Sequence, residues 1–326
     1  MLRIIKKLLA VSLCVYIAAC GTDSSSGDHS EKGAFGGKPT PGVTVTTSDG
    51  SSSDSAGFSL RLTDAPIDGL AKVVVAFTAI EMKRKKDGWT RYTLKTPQSI
   101  DLLALHGLTT ADLLLHMAIE PAEYKQIRFI VDDTPMANHV ELKTGGIVNL
   151  DIPDGSTTGI KIKKKFTIPE DRLVNLTVDF DLRRSIKSPG MSGNYKFKAK
   201  TRLVVDDHVG FIRGTVNPAL LLDPSCSDMD ADTHNAVYVY SGHDAPTDDI
   251  NEFSTTNNEP LTTTPIKYDS TSGKYQYEAA FLPQDDYTIA FTCNADVEDL
   301  EADDDLPFFY SQNVEVLVTD TTFLKP

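Results

Sequence analysis

Val174-Asn175-Leu176-Thr177-Val178-Asp179-Phe180-Asp181-Leu182 alternates apolar and polar residues without a break. Side chains on a strand point to opposite faces in turn, so this stretch offers one dry face and one wet face. A helix would scatter the same apolar residues around its circumference. The pattern spreads outward in both directions. Tyr195, Phe197, Ala199, Thr201 and Leu203 alternate with Lys196, Lys198, Lys200 and Arg202. Upstream, Ile160, Ile162, Phe166 and Ile168 alternate mainly with lysines, and Ile127, Phe129 and Val131 precede them. Val73, Val75, Phe77 and Ala79 make another face, as do Phe58, Leu60 and Leu62. Many half-buried strands with turns between them predict antiparallel sheets packed as a β-sandwich. One short helix is expected among them, capped by Thr109 or Thr110, with Leu113, Leu114 and Met117 on its apolar side.

A second series starts at Val209. Gly210 to Val216 reads as a strand, Val237 to Tyr240 as another, and Tyr275, Tyr277, Ala279 and Phe281 alternate. Leu282 to Asp286 turns the chain into Tyr287, Ile289 and Phe291, and Val314, Val316 and Val318 close the set. The fold class expected is all-β: two antiparallel β-sandwich domains, 57–208 and 209–326, with the one short helix in the first.

Charge divides at the same place. Residues 57–208 hold 19 acids and 23 bases, whereas residues 209–326 hold 22 acids and 4 bases, within a chain whose net charge is -14. This asymmetry supports two domains and disfavours nucleic acid and anionic lipid as partners of the acidic half. Charged residues at 24% and a mean hydropathy of -0.20 fit a folded chain without membrane-spanning segments.

The N-terminus reads as an export signal. Arg3, Lys6 and Lys7 precede the apolar run Leu8 to Tyr16, which is too short for a stable span. Ile17-Ala18-Ala19-Cys20 then resembles a bacterial lipobox, which would make residues 1–19 a signal peptide and Cys20 the site of lipidation. An ordinary secretory signal cleaved near Ala19 would export the chain equally well. Gly21, where an inner-membrane retention signal would place Asp, favours the outer membrane. Residues 20–56 are rich in Gly, Ser, Thr, Asp and Pro and predict a disordered tether. Such a tether spans roughly 30–35 Å. Cys14 would leave with the signal, so Cys226 and Cys293 remain, and an even pair in an oxidising compartment reads as one disulfide. Its loop entropy is worth about 3–4 kcal/mol.

Two resemblances rest on these residues. Phe58 to Pro66, Val73 to Met82 with Gly88-Trp89, Ile100 to Leu103, Tyr124 to Arg128, Gly159 to Ile162 and Val178 to Asp181 resemble, in order and spacing, a bacterial lipoprotein family known as domain of unknown function 4382. That resemblance implies an exported β-sandwich on a lipid anchor and no known activity. Gly210-x-x-x-Gly214-x-Val216, Val237-x-Val239 and Tyr275 to Leu282 leading into Asp286 to Ile289 look like carboxypeptidase regulatory-like, prealbumin-like modules. These imply an Ig-like or prealbumin-like spacer or binding platform.

Few residues point to catalysis. The seven histidines form no metal pair at helical spacing, and no nucleophile elbow, phosphate loop or CxxC is present. Asp64 reads as a cap at the end of the first strand, bonding backbone amides. Asp179 and Asp181 share a strand face and could serve as an acid–base pair, though a wet sandwich face explains them as well. Lys161, Lys163, Lys164 and Lys165 read as a solvated face with edge protection or as a shallow site for an anionic polymer. Asp228-x-Asp230-x-Asp232 alternates carboxylates as calcium loops do. Thr233 replaces the turn glycine of such a loop, and Val239 replaces its bidentate glutamate. A disulfide between Cys226 and Cys293 would carry this loop towards Asp303 and Asp305, so these five aspartates are the candidate calcium ligands. The expected function is a lipid-anchored cell-envelope protein that binds or scaffolds without catalysis, its partner an envelope polysaccharide or protein. The alternatives are a glycan hydrolase and a calcium-stabilised surface adhesion protein.

Overall fold

The computed structural model describes residues 56–317 and 321–324, apart from 66, 68, 87, 188, 190–192, 252–257 and 301. The expectations for the signal, Cys20 and the tether fall outside the described residues.

The first half contains β1 (Gly57–Ala65), β2 (Leu70–Arg84), β3 (Trp89–Asp101), β4 (Ala111–Ala118), β5 (Ala122–Val131), β6 (His139–Leu142) and β7 (Ile147–Asp151). It continues with β8 (Ile160–Ile162), β9 (Phe166–Ile168), β10 (Leu173–Asp181), the one-turn helix α1 (Leu182–Ser185), β11 (Ile186–Lys187), β12 (Tyr195–Phe197) and β13 (Thr201–Val205). One sheet runs β13-β10-β1-β4. The larger runs β11-β12-β7-β6-β2-β5-β8, with β3 also paired to β2 and β9 to β5. Most pairings are antiparallel, but β1 runs parallel to β10 and β12 parallel to β7. The core lies between the sheets. Leu60, Leu62, Leu176, Val178 and Phe180 of the smaller sheet meet Val75, Phe77, Ile80, Met82, Ile127 and Phe129 of the larger. Phe180 sits among Phe77, Phe129 and Phe197 with ring centroids 6.0–6.4 Å away, a spacing at which aromatic edges and faces attract.

Two sequence expectations change here. Residues 109–117 form no helix; Ala111–Ala118 is strand β4, paired with β1. The β1–β4 register shifts between Phe58 and Arg61, and His116 adopts a φ of +50°. This bulge resets the alternation, so Leu113, Leu114 and Met117 can all turn inward. Their spacing imitates a helical stripe. The short helix of this half is instead α1, whose N-cap Asp181 accepts the Arg184 amide at 3.0 Å. The run Tyr195 to Leu203 is also two strands, in different sheets. Ser185, fully buried, stands at the crossing and accepts the Lys200 amide at 2.8 Å.

The second half contains β14 (Val209–Val216), α2 (Pro218–Leu221), β15 (Ala236–Ser241), β16 (Thr262–Pro265), β17 (Lys267–Asp269), β18 (Lys274–Pro283), β19 (Asp285–Thr292), β20 (Tyr310–Val316) and β21 (Thr321–Leu324). They form two four-stranded sheets, β17-β18-β14-β21 and β16-β15-β19-β20. Ile212, Tyr277, Ala279 and Leu282 from one pack against Val237, Val239, Ile289, Phe291 and Val314 from the other. Gly214 lies under the Tyr277 ring, so close that any Cβ there would overlap it. The outer face of β15 and β19 is dry as well. Ala236, Tyr238, Tyr240 and Ala290 are covered by Ile250, Ala295 and Leu306 from flanking loops. Cys226 and Cys293 are disulfide-bonded, with Cα atoms 5.2 Å apart. The described residues form a single compact unit.

Candidate functional site

Three arginines of the first sandwich reach into the second. Arg202 lies opposite Asp179 in the β10–β13 register and pairs with its carboxylate at 2.6 Å. The same guanidinium donates to the Phe281 carbonyl at 2.6 Å and the Ala280 carbonyl at 3.3 Å. Arg184 on α1 pairs with Asp181 at 2.5 Å and donates to the Leu261 carbonyl at 3.4 Å. Arg183 pairs with Glu298 at 2.8 Å, donates to the Ala295 carbonyl, and stands 5.6 Å from the Tyr238 ring centre. Glu278 of β18 answers from the other side, accepting the Leu108 amide at 2.7 Å. A planar guanidinium with five donors suits this bridging role, because it satisfies a carboxylate and a carbonyl at once.

Beside this junction opens a cleft of about 600 Å³. Its walls are the edge strands β8 and β13, and Leu261 and Thr262 close one end. Six cations line it: Lys161, Lys163, Lys164, Arg184, Lys200 and Arg202. Lys161, Lys163 and Lys164 are exposed, and no carboxylate among the described residues forms an ion pair with them. Asp179 and Asp181 form the floor and are only 6% and 7% exposed. They are not the wet face that alternation suggested, because α1, Arg202 and the second sandwich cover them. Burial raises the Asp179 carboxyl, and Arg202 opposes that rise. Asp64, also buried, is pushed well above the usual carboxylate range by burial and then by repulsion from Asp179 and Asp181. Among the described residues it accepts no amide of the turn after β1; one oxygen accepts the Leu182 amide at 3.2 Å, at the start of α1.

The five calcium candidates do not come together as expected. Asp228 accepts from Thr233 Oγ1 at 2.8 Å and the Asp230 amide at 3.0 Å, and pairs with His234 at 2.7 Å. Asp230 accepts the Asp232 amide at 2.9 Å. These carboxylates therefore fold onto their own loop. The disulfide does join this loop to the one after β19, where Ser227 donates to Asp296 at 2.6 Å. Asp303 lies further along, where its loop crosses the outer face of β15. There the oxygens of Asp248, Asp249 and Asp303 lie within 4.8 Å of one another, and Asp305 is not among them. Asp249 is 1% exposed, and burial raises its carboxyl. The adjacent pair Asp248-Asp249 was the sequence signal for this group, and the bridging arginines were foreshadowed by Arg202 standing where the alternating series otherwise has lysine.

These features define an all-β protein of two sandwiches locked by arginines, with a cationic cleft at the junction. Residues 55–199 match the family described as "Domain of unknown function (DUF4382)". No curated protein matches the chain. Among solved structures, the chain is similar to the Bacillus anthracis TIE protein at 12% identity and a TM-score of 0.18, covering 83% of this chain and 33% of that one. A "putative adhesin" from Bacteroides ovatus ATCC 8483 shows 8% identity and a TM-score of 0.19 over 83% of this chain and 89% of its own. The major pilin subunit of Bacillus cereus shows 11% identity and a TM-score of 0.18 over 82% and 97%. The chain thus spans a third of the length of the first of these. Superpositions this loose do not define a shared architecture. Among the described residues no helix is long and apolar enough to cross a membrane.

Proposed function

We propose that this protein is a lipid-anchored binding module of the cell envelope, and that the junction cleft takes an anionic ligand without chemical change. The observation that carries this reading is the set of three exposed lysines, Lys161, Lys163 and Lys164, held at a concave site in a chain of net charge -14. An acidic protein that concentrates unpaired positive charge in one cleft has a strong local field there. Export and lipidation at Cys20 rest on the N-terminal signal. The disulfide supports an oxidising compartment.

A glycan hydrolase is the second reading, favoured by two carboxylates in one cleft with Asp179 raised. Against it, Asp181 gives both oxygens to Arg184, and Asp179 holds Arg202 in its bridging position. Both carboxylates are committed to holding the junction. Calorimetric titration of the full chain with digalacturonate separates the readings. Binding should saturate, fall about tenfold in the double variant Lys163→Gln, Lys164→Gln, and weaken in about 0.5 M salt. Release of reducing sugar from longer oligogalacturonates, lost in Asp179→Asn, would instead establish a hydrolase. Binding indifferent to both lysines would remove the cleft as the site.

A further inference from the structure

The cleft continues onto the outer face of the larger sheet. Strands β3, β2, β5 and β8 lie side by side there, and their registers align outward-facing residues in rows. Arg91, Glu81, Arg128 and Lys161 form one row, each opposite the next. Trp89, Lys83 and Gln126 form the adjacent row. Glu81 is the single acid in these rows. Burial would raise it, but hydrogen bonds from Arg128 and Arg91 outweigh burial and hold it below the usual range. Two arginines thus share one carboxylate and leave the face positive. Trp89, the chain's one tryptophan, is half-buried, with the Arg128 guanidinium 4.0 Å and the Lys83 ammonium 5.2 Å from its ring centre. The arginine is pinned flat by the ring beneath it and the carboxylate beside it. Lys161 belongs to both places: it ends the first row and lines the cleft.

We propose that the cleft is one end of a track that crosses this face to Trp89 and takes a linear, carboxylate-bearing polysaccharide. The proposal rests on the cleft reading and extends it. The chemistry on the face selects the class. Trp89 and its stacked arginine offer a flat platform for a sugar ring, Gln126 offers an amide donor and acceptor, and cations flank them. Beyond the cleft, two of the cations on the face, Arg91 and Arg128, are paired with Glu81, and the remaining positive charge is widely spaced. Lys83 on β2 and Lys161 on β8 are separated by one intervening strand, about 10 Å at ordinary strand spacing. Duplex DNA presents a charge about every 1.7 Å and demands a denser field, which a chain of net charge -14 does not supply. A polymer with charge spread over sugar rings matches what is there.

The test is calorimetry on the full chain with galacturonate oligomers of two and six sugars. The hexamer, long enough to reach Trp89, should bind at least about tenfold more tightly than the dimer. Trp89→Ala should cost the hexamer about tenfold, the loss of one stacked contact, and leave the dimer unchanged. Should Trp89→Ala fail to fold, Lys83→Gln, between Trp89 and Gln126 in the same row, should lower hexamer affinity severalfold in the same selective way. Equal affinities for the two lengths, or a hexamer indifferent to both substitutions, would overturn the track. If the dimer then still depended on Lys163 and Lys164, the cleft reading would survive. No binding of either oligomer would overturn both. A single-stranded DNA of equal charge that bound as tightly as the hexamer would overturn the polysaccharide class.

Discussion

The two sandwiches share a strand pattern and use it differently. In the first, the face that alternation leaves polar stays open and basic, with Arg91, Arg128 and Lys161 in line across it. In the second, the outer face of β15 and β19 is roofed by loops, and Tyr238 and Tyr240 are buried beneath them. Where the halves meet, the bridging guanidiniums come from the first, and the carboxylate and carbonyls of Glu298, Ala295, Leu261, Ala280 and Phe281 from the second. The charge asymmetry therefore does two jobs. Part of the positive charge locks the junction, and the lysines of β8 and the segment after it are left for a ligand. We propose that the boundary at 208/209 separates two domains that unfold together because of this lock.

The largest effect should come from breaking that lock. Glu298→Ala leaves Arg183 buried without its carboxylate, with side chains in the native pair only 11% and 0% exposed. A loss of about 3–5 kcal/mol is expected in urea unfolding. An unchanged midpoint would show that the halves do not depend on each other. Reducing the disulfide should cost about 3–4 kcal/mol and act through the second sandwich, where both cysteines lie. Disulfide loss that left the whole transition untouched would contradict the coupled picture.

A pH effect should sharpen the comparison at the floor of the cleft. Asp64 has a folded-state pKa raised well above its ordinary 3.8, so between these values the folded chain binds more protons than the unfolded one. Stability conferred by this group is therefore fully present at low pH and lost as pH rises through that window. Asp64→Asn should remove this component and flatten the descent in urea midpoints measured from pH 4 to pH 8. A steeper descent in the variant would reverse the assignment. The smallest effect concerns metal. We propose that calcium, if it binds the second half, does so at Asp248, Asp249 and Asp303, the group within one ion's reach. At tenfold excess over its dissociation constant it would add about 1.4 kcal/mol, read as a rise in melting temperature over EDTA that Asp303→Asn abolishes. A rise that persisted in Asp303→Asn but vanished in Asp230→Asn would return the site to the Asp228 loop.

Much of the fold was legible because alternation reports which face is dry. Val174 to Asp181 lies in a core strand, as its alternation says, while Leu182 opens α1, and Cys226 and Cys293 pair as an even number of cysteines suggests. Three things were not legible, each for a physical reason. The bulge at His116 shifts the alternation by one residue, and Leu114 and Met117 then imitate a helix. Cover from a distant loop, as over Tyr238, changes a face from wet to dry without changing the strand's own pattern. Long-range partners are invisible too. Asp179 and Asp181 looked like a solvated pair because nothing nearby announces that Arg202 and the second sandwich will close over them. The lysines of the cleft were visible as a cluster, but their concave setting depends on residues some hundred positions away, Leu261 and Thr262.

The most direct test of the binding reading is residue-resolved NMR of the full chain, deuterated, during titration with digalacturonate. The account predicts amide shifts centred on Lys161 to Lys164, Lys198 to Arg202 and Leu261 to Thr262, saturating together and absent in the double variant Lys163→Gln, Lys164→Gln. Shifts centred elsewhere, or none at all, would contradict it.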